Sequence, residues 1–239
     1  MLLSHIKKFG LVGLLPPAAQ KRLLAISRQG DFGPGERIFS RSDAADHMFV
    51  VIRGRVKIFL SGGGRRRKTF AYLGAGDFFG EMAVITGKTR SASAEATEPT
   101  SLLLIHKRDF RRLMERDRKL CFYMLQAVSD RLRVADEEIE DLLFRNVLGR
   151  VAKTLRDLSK SADKSGGCAP GGGRLGPVEL PRRYTHQDLA DLVGTTREPL
   201  SRALATLRRA GLVVARDGSI VLLEPVKLDQ IVSASVATD

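Results

Sequence analysis

The sequence has no run of about 18 apolar residues, which is the length that an α-helix needs to cross a bilayer. Its opening segment, MLLSHIKKFGLVG, also lacks the long apolar region and small-residue cleavage site of a secretory signal peptide. We therefore expect a cytoplasmic protein that does not associate with a membrane.

Cysteine is scarce, with Cys121 and Cys168 far apart in the chain. Two distant cysteines cannot supply the thiolate cluster that holds an iron–sulfur centre, and we expect them to be reduced and unreactive. The four histidines are scattered, at His5, His47, His106 and His186. We expect no metal, haem or iron–sulfur cluster.

The residue groups that mark an enzyme are also missing. We find no nucleophile paired with a base, no metal-ligand cluster and no coenzyme loop. The Gly-rich segment 166–176 lacks the Lys-Ser/Thr ending and the preceding apolar strand of a phosphate-binding loop, so we interpret it as a flexible connection. The sequence predicts a protein that is not an enzyme.

Basic residues, in contrast, are plentiful. The chain has 40 Lys and Arg against 27 Asp and Glu, a net charge of +13 and a pI near 10.3. Such a charge suits a polyanionic partner such as nucleic acid. The 239 residues, 43% of them hydrophobic, are enough for one large domain or two ordinary ones.

Residues 1–106 predict a β-rich domain. A helical segment, PPAAQKRLLAISRQG, precedes a stretch from Asp31 to Ile105 that contains short apolar runs such as HMFVVIRGRVKIFL, separated by Gly-containing turns. We expect this domain to be all-β after its first helix.

Residues 107–145 contain no Pro or Gly and predict one long helix. Apolar residues recur at alternating spacings of four and three, at Cys121, Leu125, Val128, Leu132, Ala135, Ile139 and Leu142. This heptad seam favours pairing of two helices, hence a homodimer. The alternative is a long helix packed on its own β-domain, and both arrangements can hold on different faces.

Residues 146–239 predict a winged helix-turn-helix domain. After another helical segment, NVLGRVAKTLRDLS, and a short strand, VELPRRY, come the helices THQDLADLVG and TTREPLSRALATLRRAG. Thr185 and Asp188 suit the N-terminal cap of the first, and a two-strand ribbon, LVVARDGSIVLL, follows the second. Helix, Gly-containing turn, helix and hairpin form this motif.

One stretch, GDFFGEMAVITGKTRSASA, places Glu81 and Arg90 nine positions apart around an apolar run. Backbone N–H groups at a helix start and one Arg fork would bind a compact phosphate, while Glu81 would accept a hydrogen bond from a ribose hydroxyl. An ion pair between Glu81 and Arg90 inside the β-domain explains the spacing equally well.

The segment FGEMAVITGKTRSASA resembles the phosphate-binding cassette of cyclic-nucleotide-binding domains. The resemblance continues through LLFRNVLGRVAKTLRDL and THQDLADLVGTTREPLSRALATLRRAGLV, in the order typical of the CRP/FNR family of bacterial transcription regulators. It implies an α+β protein with three parts: a jelly-roll-like cyclic-nucleotide-binding β-roll (1–106), a long dimerisation helix (107–145) and a winged helix-turn-helix DNA-binding domain (146–239).

By resemblance, the cassette residues bind a cyclic nucleotide as an allosteric effector, Glu81 at the ribose and Arg90 at the cyclic phosphate. The implied cyclic-nucleotide-binding residues are Gly80, Glu81, Met82, Ala83, Arg90, Ser91, Ala92, Ala135 and Asp136. Ala135 and Asp136 stand where cyclic-AMP-responsive members have a Thr-Ser pair that contacts adenine. Cyclic AMP is the first expectation, cyclic GMP the second, and a regulator that needs another effector or none is the alternative.

The resemblance also implies a palindromic double-stranded operator with TGTGA-like arms, and RNA polymerase as a partner. An Arg at the start of the second helix can fork onto guanine, and a Glu can accept from cytosine. Glu198, Ser201 and Arg202 also resemble a branch of the family that recognises TTGAT arms. The presence of Arg197 favours the TGTGA-like arm. The expected DNA-binding residues are Thr185, Gln187, Thr195, Thr196, Arg197, Glu198, Ser201 and Arg202.

Overall fold

The structure, a computed structural model, describes residues 17–62, 67–165, 176–216 and 218–235. The chain divides into two units, the first comprising residues 1–62 and 69–132 and the second residues 63–68 and 133–239. Each unit has its own buried core, so we describe them separately.

The first unit begins with a helix and continues into strands, as the sequence predicts. Its helices and strands are α1 (Pro17–Ala25), β1 (Ser27–Phe32), β2 (Arg37–Phe39), β3 (His47–Arg53), β4 (Val56–Ser61), β5 (Arg67–Leu73), β6 (Phe78–Phe79), α2 (Glu81–Thr86), β7 (Ser93–Ala96), β8 (Thr100–His106), α3 (Lys107–Arg116) and the first part of α4 (Arg118–Phe144). The first strand starts earlier than expected, at Ser27 instead of Asp31.

Two four-stranded sheets form the β-roll. One has the order β1-β8-β3-β6 and the other β2-β7-β4-β5. The central strand β3 is buried from Met48 to Ile52, because its apolar run HMFVVIR lies inside the roll. Phe59, Met48 and Ile105 are fully buried, and α4 adds Leu120 and Met124 to the core.

The long helix predicted over 107–145 is interrupted, which corrects the sequence prediction. Asp117 is extended, with φ −129° and ψ 95°, and separates α3 from α4. Its carboxylate accepts hydrogen bonds from the backbone N–H groups of Lys119 and Leu120, and so caps the start of α4. The long helix is therefore α4 alone, with 27 residues.

The second unit contains the last part of α4 and a helix-rich domain. Its further elements are α5 (Val147–Ser165), β9 (Val178–Glu179), α6 (His186–Val193), α7 (Arg197–Arg209), β10 (Val213–Arg216), β11 (Ser219–Leu222) and α8 (Pro225–Ala234). The expected ribbon of β10 and β11 is present, and β9 joins it to form a three-stranded sheet of order β10-β11-β9. Helix α8 was not expected from the sequence.

The core of the second unit lies between α5, α6, α7 and α8. Leu155, Leu189, Leu204 and Leu228 are each at most 1% exposed. The expected α+β architecture, a β-roll followed by a long helix and a winged helix-turn-helix, is confirmed.

The Gly-rich connection lies outside the described residues except for Gly176. None of the helices in the described ranges is both long enough and apolar enough to cross a membrane.

Candidate functional site

A left-handed glycine sets the geometry of the cassette. Strand β6 ends at Phe79, and the next residue, Gly80, is the N-cap of helix α2, with φ 77° and ψ 4°. A Cβ at this position would lie 2.6 Å from Nη1 of Arg90, closer than side chains approach one another. Glycine is therefore required twice, for its backbone conformation and for the space that the Arg90 guanidinium occupies.

Arg90 is a buried cation, with only 5% of the residue exposed. Its Nη1 donates to the carbonyl of Gly80 at 2.8 Å and its Nη2 to the carbonyl of His47 at 2.6 Å. The guanidinium lies over the rings of Phe39 and Phe49, 4.2 and 5.5 Å from their centroids. Its buried Nε–H has no hydrogen-bond partner among the described residues.

The electrostatic surroundings of Arg90 leave its charge incompletely compensated. Burial lowers the pKa of the Arg90 guanidinium, and the carboxylates of Asp43, Asp46 and Glu81 counter that pKa shift only in part. A buried cation that has a free N–H is stabilised by an anion that also accepts a hydrogen bond.

Glu81 is also buried, but its partner is not Arg90. Its Oε1 accepts from Nη1 of Arg131 at 2.7 Å, with the Glu81 side chain 2% exposed and that of Arg131 41% exposed. Nη2 of Arg131 donates to the carbonyl of Phe78 at 2.5 Å, and its guanidinium lies 4.5 Å from the Phe78 ring centroid. The Glu81–Arg90 ion pair that the spacing allowed was therefore wrong.

Arg131 was missed by the sequence analysis. It lies on α4, 50 residues after Glu81, and nothing in its local sequence distinguishes it from Arg133, which also lies off the heptad seam. No local motif links the two residues, because the pair exists only once α4 has packed on the β-roll of its own unit.

The other expected cassette residues differ in exposure. Ala83 is buried, Met82 and Ser91 are exposed, and Ala92 is half-buried. Ala135 and Asp136 are exposed on the part of α4 that belongs to the second unit.

The helix-turn-helix is built on a capping box and a glycine turn. Thr185 accepts a hydrogen bond from the backbone N–H of Asp188, and the Asp188 carboxylate accepts from the backbone N–H of Thr185. Helix α6 ends at Val193, and its C-cap, Gly194, is left-handed with φ 75°. The expected cap at Thr185 is confirmed and sets the start of α6, while Gly194, which was expected in the turn, caps the end of α6 before α7.

Helix α7 is amphipathic, and its polar start is exposed. It buries Leu200, Ala203, Leu204 and Leu207 on one face. Arg197, Glu198 and Arg202 are exposed on the other, with Arg202 3.6 Å from Glu198. These side chains lie in the first two turns, the part of a recognition helix that enters a major groove.

The remaining expected DNA-binding residues have mixed surroundings. Thr196 is the exposed N-cap of α7 and makes no side-chain capping bond, while Thr195 is half-buried. Gln187 donates to the carboxylate of Asp191 at 2.6 Å. Ser201 is half-buried, and its Oγ lies 3.0 Å from Nδ1 of His186. The hydroxyl of Thr185 is already used in the capping box.

Fold and sites together define a protein with a β-roll and a winged helix-turn-helix. Residues 29–117 match the family described as cyclic nucleotide-binding domain, and residues 149–231 match the Crp-like helix-turn-helix domain. Among the described residues, no group of three or more His, Cys, Asp or Glu is arranged to hold a metal ion.

Known regulators resemble the chain over most of its length. The cyclic AMP receptor protein of Thermus thermophilus is 32% identical over 92% of this chain and 94% of its own. The cAMP-activated global transcriptional regulator Vfr of Pseudomonas aeruginosa is 29% identical over 84% of this chain and 92% of its own. The structure of the c-di-GMP responsive global regulator CLP of Xanthomonas campestris matches 87% of this chain and 99% of its own, with 29% identity and a TM-score of 0.72. The chain belongs to the CRP/FNR family of transcription regulators.

Proposed function

We propose that the protein is a dimeric, sequence-specific DNA-binding regulator controlled by a cyclic nucleotide bound in its first unit. The observation that carries this proposal is the buried Arg90 guanidinium, whose Nε–H has no partner among the described residues. A cyclic phosphate is an anion whose oxygens can accept a hydrogen bond from that group. Cyclic AMP is the first candidate effector and cyclic GMP the second.

Glu81 and Arg131 supply the second half of the proposed site. Arg131 engages Oε1 of Glu81, so Oε2 is left to accept a hydrogen bond from a ribose hydroxyl. Arg131 holds the carboxylate in place, while Arg90 meets the phosphate through its Nε–H. Glu81 then binds the ribose and Arg90 the phosphate of one ligand.

Base recognition is the reason to test more than one nucleotide. Ala135 and Asp136 carry no hydroxyl with which to bind adenine as a Thr-Ser pair would. Relatives differ in their effectors, since two are named for cyclic AMP and one as responsive to c-di-GMP. The alternative function is therefore a regulator of the same family that uses another effector or none.

Isothermal titration calorimetry on ligand-stripped protein tests the effector site. We expect one cyclic nucleotide per subunit, with cyclic AMP, cyclic GMP and c-di-GMP compared side by side. Arg90→Leu should weaken binding at least tenfold, since removing one partner of a buried charged hydrogen bond costs roughly 2 to 5 kcal/mol. Arg112→Leu, at an arginine whose side chain is 72% exposed, is the matched control.

Two results would contradict the effector site. One is the absence of binding by the wild type at millimolar concentrations of all three nucleotides. The other is equal affinity of the wild type and Arg90→Leu, provided that calorimetric melting shows the variant to be folded.

The proposed dimer rests on the seam of α4. Leu125, Leu132, Ile139 and Leu142 are between 48% and 65% exposed in the single chain. A self-complementary apolar stripe is most simply buried against its own copy about a two-fold axis. Leu132→Asp with Ile139→Asp should yield monomers in analytical ultracentrifugation, while Arg133→Asp, off the seam, should not. A wild type that is monomeric at micromolar concentration would exclude the dimer.

The proposed operator follows from the two-fold symmetry and from α7. Arg197 can fork onto guanine O6 and N7, and Glu198 can accept from the N4 amine of cytosine. We expect inverted TGTGA-like arms centred about one helical turn apart, and RNA polymerase as the protein partner at such a site. Selection from random DNA should return this palindrome, whereas TTGAT arms would show that Glu198, Ser201 and Arg202 determine the sequence instead.

A further inference from the structure

The two helices of the helix-turn-helix are joined by a side-chain contact at the face that carries the exposed charges. His186 is the first residue of α6, and its Nδ1 lies 3.0 Å from Oγ of Ser201 in α7. Both residues are half-buried, and Ser201 is flanked on the exposed surface of α7 by Glu198 and Arg202. This contact therefore joins His186, at the start of α6, to Ser201, which the proposed function places at the DNA.

Because α7 is packed in the core, the main remaining freedom of the Ser201 side chain is rotation about χ1. Leu200 and Leu204, on either side of Ser201 in the sequence, are at most 1% exposed, so α7 cannot turn about its axis. The Ser201 hydroxyl has three staggered positions, and the hydrogen bond to His186 selects one of them. The histidine thus fixes where the hydroxyl oxygen lies.

The same bond determines which hydrogen-bonding role the serine presents outward. A hydroxyl has one donor hydrogen and two acceptor lone pairs. Where Nδ1 of His186 accepts, the hydrogen of Ser201 is used, and the outward oxygen can only accept, for example from adenine N6 or cytosine N4. Where Nδ1 carries a hydrogen and donates, Ser201 is free to donate to guanine or to thymine O4.

We propose that His186 is a positioning residue that sets the orientation and hydrogen-bond polarity of Ser201, and thereby the preference of the regulator for one base pair of its half-site. The inference rests on the proposed DNA-binding function. Its rival is a histidine that contacts a phosphate directly, as a residue at a helix start often does.

A double-mutant cycle on operator DNA separates the two roles. The proteins are wild type, His186→Ala, Ser201→Ala and the double variant. Ser233→Ala is the matched control, because Ser233 is exposed on α8 and its hydroxyl donates to the carbonyl of Asp229 within its own helix. Affinity is measured by fluorescence anisotropy on the selected operator and on its single-base variants, at several salt concentrations.

We expect His186→Ala and Ser201→Ala to reduce discrimination at the same base pair, each by about 2- to 12-fold, which corresponds to the loss of one neutral hydrogen bond. The double variant should lose no more than Ser201→Ala alone, because the histidine acts through the serine. His186→Asn, whose amide reaches the position of Nδ1, should restore the preference in part. Ser233→Ala should leave the base preference unchanged.

Two outcomes overturn this inference while leaving the proposed function intact. The first is a double variant whose fold loss of base discrimination equals the product of the losses of the two single variants. The second is a uniform loss of affinity of His186→Ala on every sequence with a salt slope reduced by about 1, which is typical of a lost phosphate contact. A wild type that binds no operator under any condition would instead overturn the proposed function, and the inference with it.

Discussion

The cassette of the first unit and the recognition helix of the second hold their charged residues in opposite ways. Glu81 and Arg90 are at most 5% exposed, and backbone carbonyls and Arg131 hold them in place. Glu198 and Arg202 have side chains that are 82% and 73% exposed and form only a long pair with each other. The same types of residue are thus part of the core in one unit and independent of it in the other.

This difference separates stability from binding. An exposed ion pair contributes little to folding, whereas removing one partner of a buried pair leaves an uncompensated charge. Substitutions in the cassette should therefore affect the fold and the ligand together. Substitutions at the start of α7 should affect DNA binding alone.

The largest expected effect is on the first unit, from Arg131→Met. The variant leaves the Glu81 carboxylate, with its side chain 2% exposed, without its cation. We expect a loss of roughly 2 to 3 kcal/mol in the free energy of unfolding, below the value for a fully buried pair because Arg131 is partly exposed. Calorimetric melting measures it, and adding Glu81→Gln should recover most of the loss. A cost below about 0.5 kcal/mol, the usual range of a surface substitution, would show that the buried carboxylate does not need Arg131.

Arg197→Ala and Glu198→Ala test the other side of the comparison. Each should lose roughly 1 to 3 kcal/mol of binding free energy on the best operator and relax the preference at one base pair. Because both side chains are exposed, the melting temperature should not change measurably. Lys227→Ala, at an exposed residue of α8, is the control for loss of charge. Unchanged preference in both variants would refute the assignment of α7 as the reading helix.

The caps of α6 and α7 provide an internal contrast within the second unit. Thr185 makes the capping box with Asp188, while Thr196 makes no side-chain capping bond. Thr185→Ala should therefore cost about 0.5 to 2 kcal/mol of stability, and Thr196→Ala much less. Urea unfolding followed by circular dichroism compares them, and equal costs would mean that the box does not stabilise α6.

The smallest effect concerns pH and only the first unit. Burial lowers the pKa of His47 from its ordinary value of 6.5, and the charges of His106, Arg90 and Arg28 add to this lowering against the opposing charge of Asp46. The unfolded chain then binds a proton more readily than the folded one, so stability is lost as the pH falls below 6.5. We expect the melting temperature to fall by about 1 to 3 °C more in wild type than in His47→Gln between neutral and mildly acidic pH. An identical pH profile for the two proteins would exclude His47 as the source.

Local patterns predicted most of the elements, and the errors have physical reasons. The absence of Pro and Gly predicted a continuous helix through Asp117, but this residue breaks it because its carboxylate caps the next helix. Helix α8 was missed although Pro225 at its first turn and the buried Leu228 and Val232 form a recognisable pattern. At Asp117 the signal was a single side chain within a long pattern that favours a helix.

Only the part of the candidate site that lies in one continuous stretch of sequence could be predicted. Gly80, Glu81 and Arg90 lie in one stretch, and their residue types and spacing were consistent both with a site for a phosphate and a sugar and with an ion pair. The partner of Glu81 was not predictable in this way, because Arg131 reaches it only through the packing of α4 on the β-roll. The contact between His186 and Ser201 likewise depends on how two helices cross, which periodicity does not specify.

The packing of Tyr123 against Phe78 has an optical consequence. The chain contains three tyrosines and no tryptophan, so its ultraviolet fluorescence comes from tyrosine alone. Tyr123 lies on α4 with its ring centroid 6.4 Å from that of Phe78, the residue whose carbonyl accepts from Arg131. A native fluorophore thus stands beside the cassette with no indole to mask its emission, and occupancy of this site can be followed without attaching a dye.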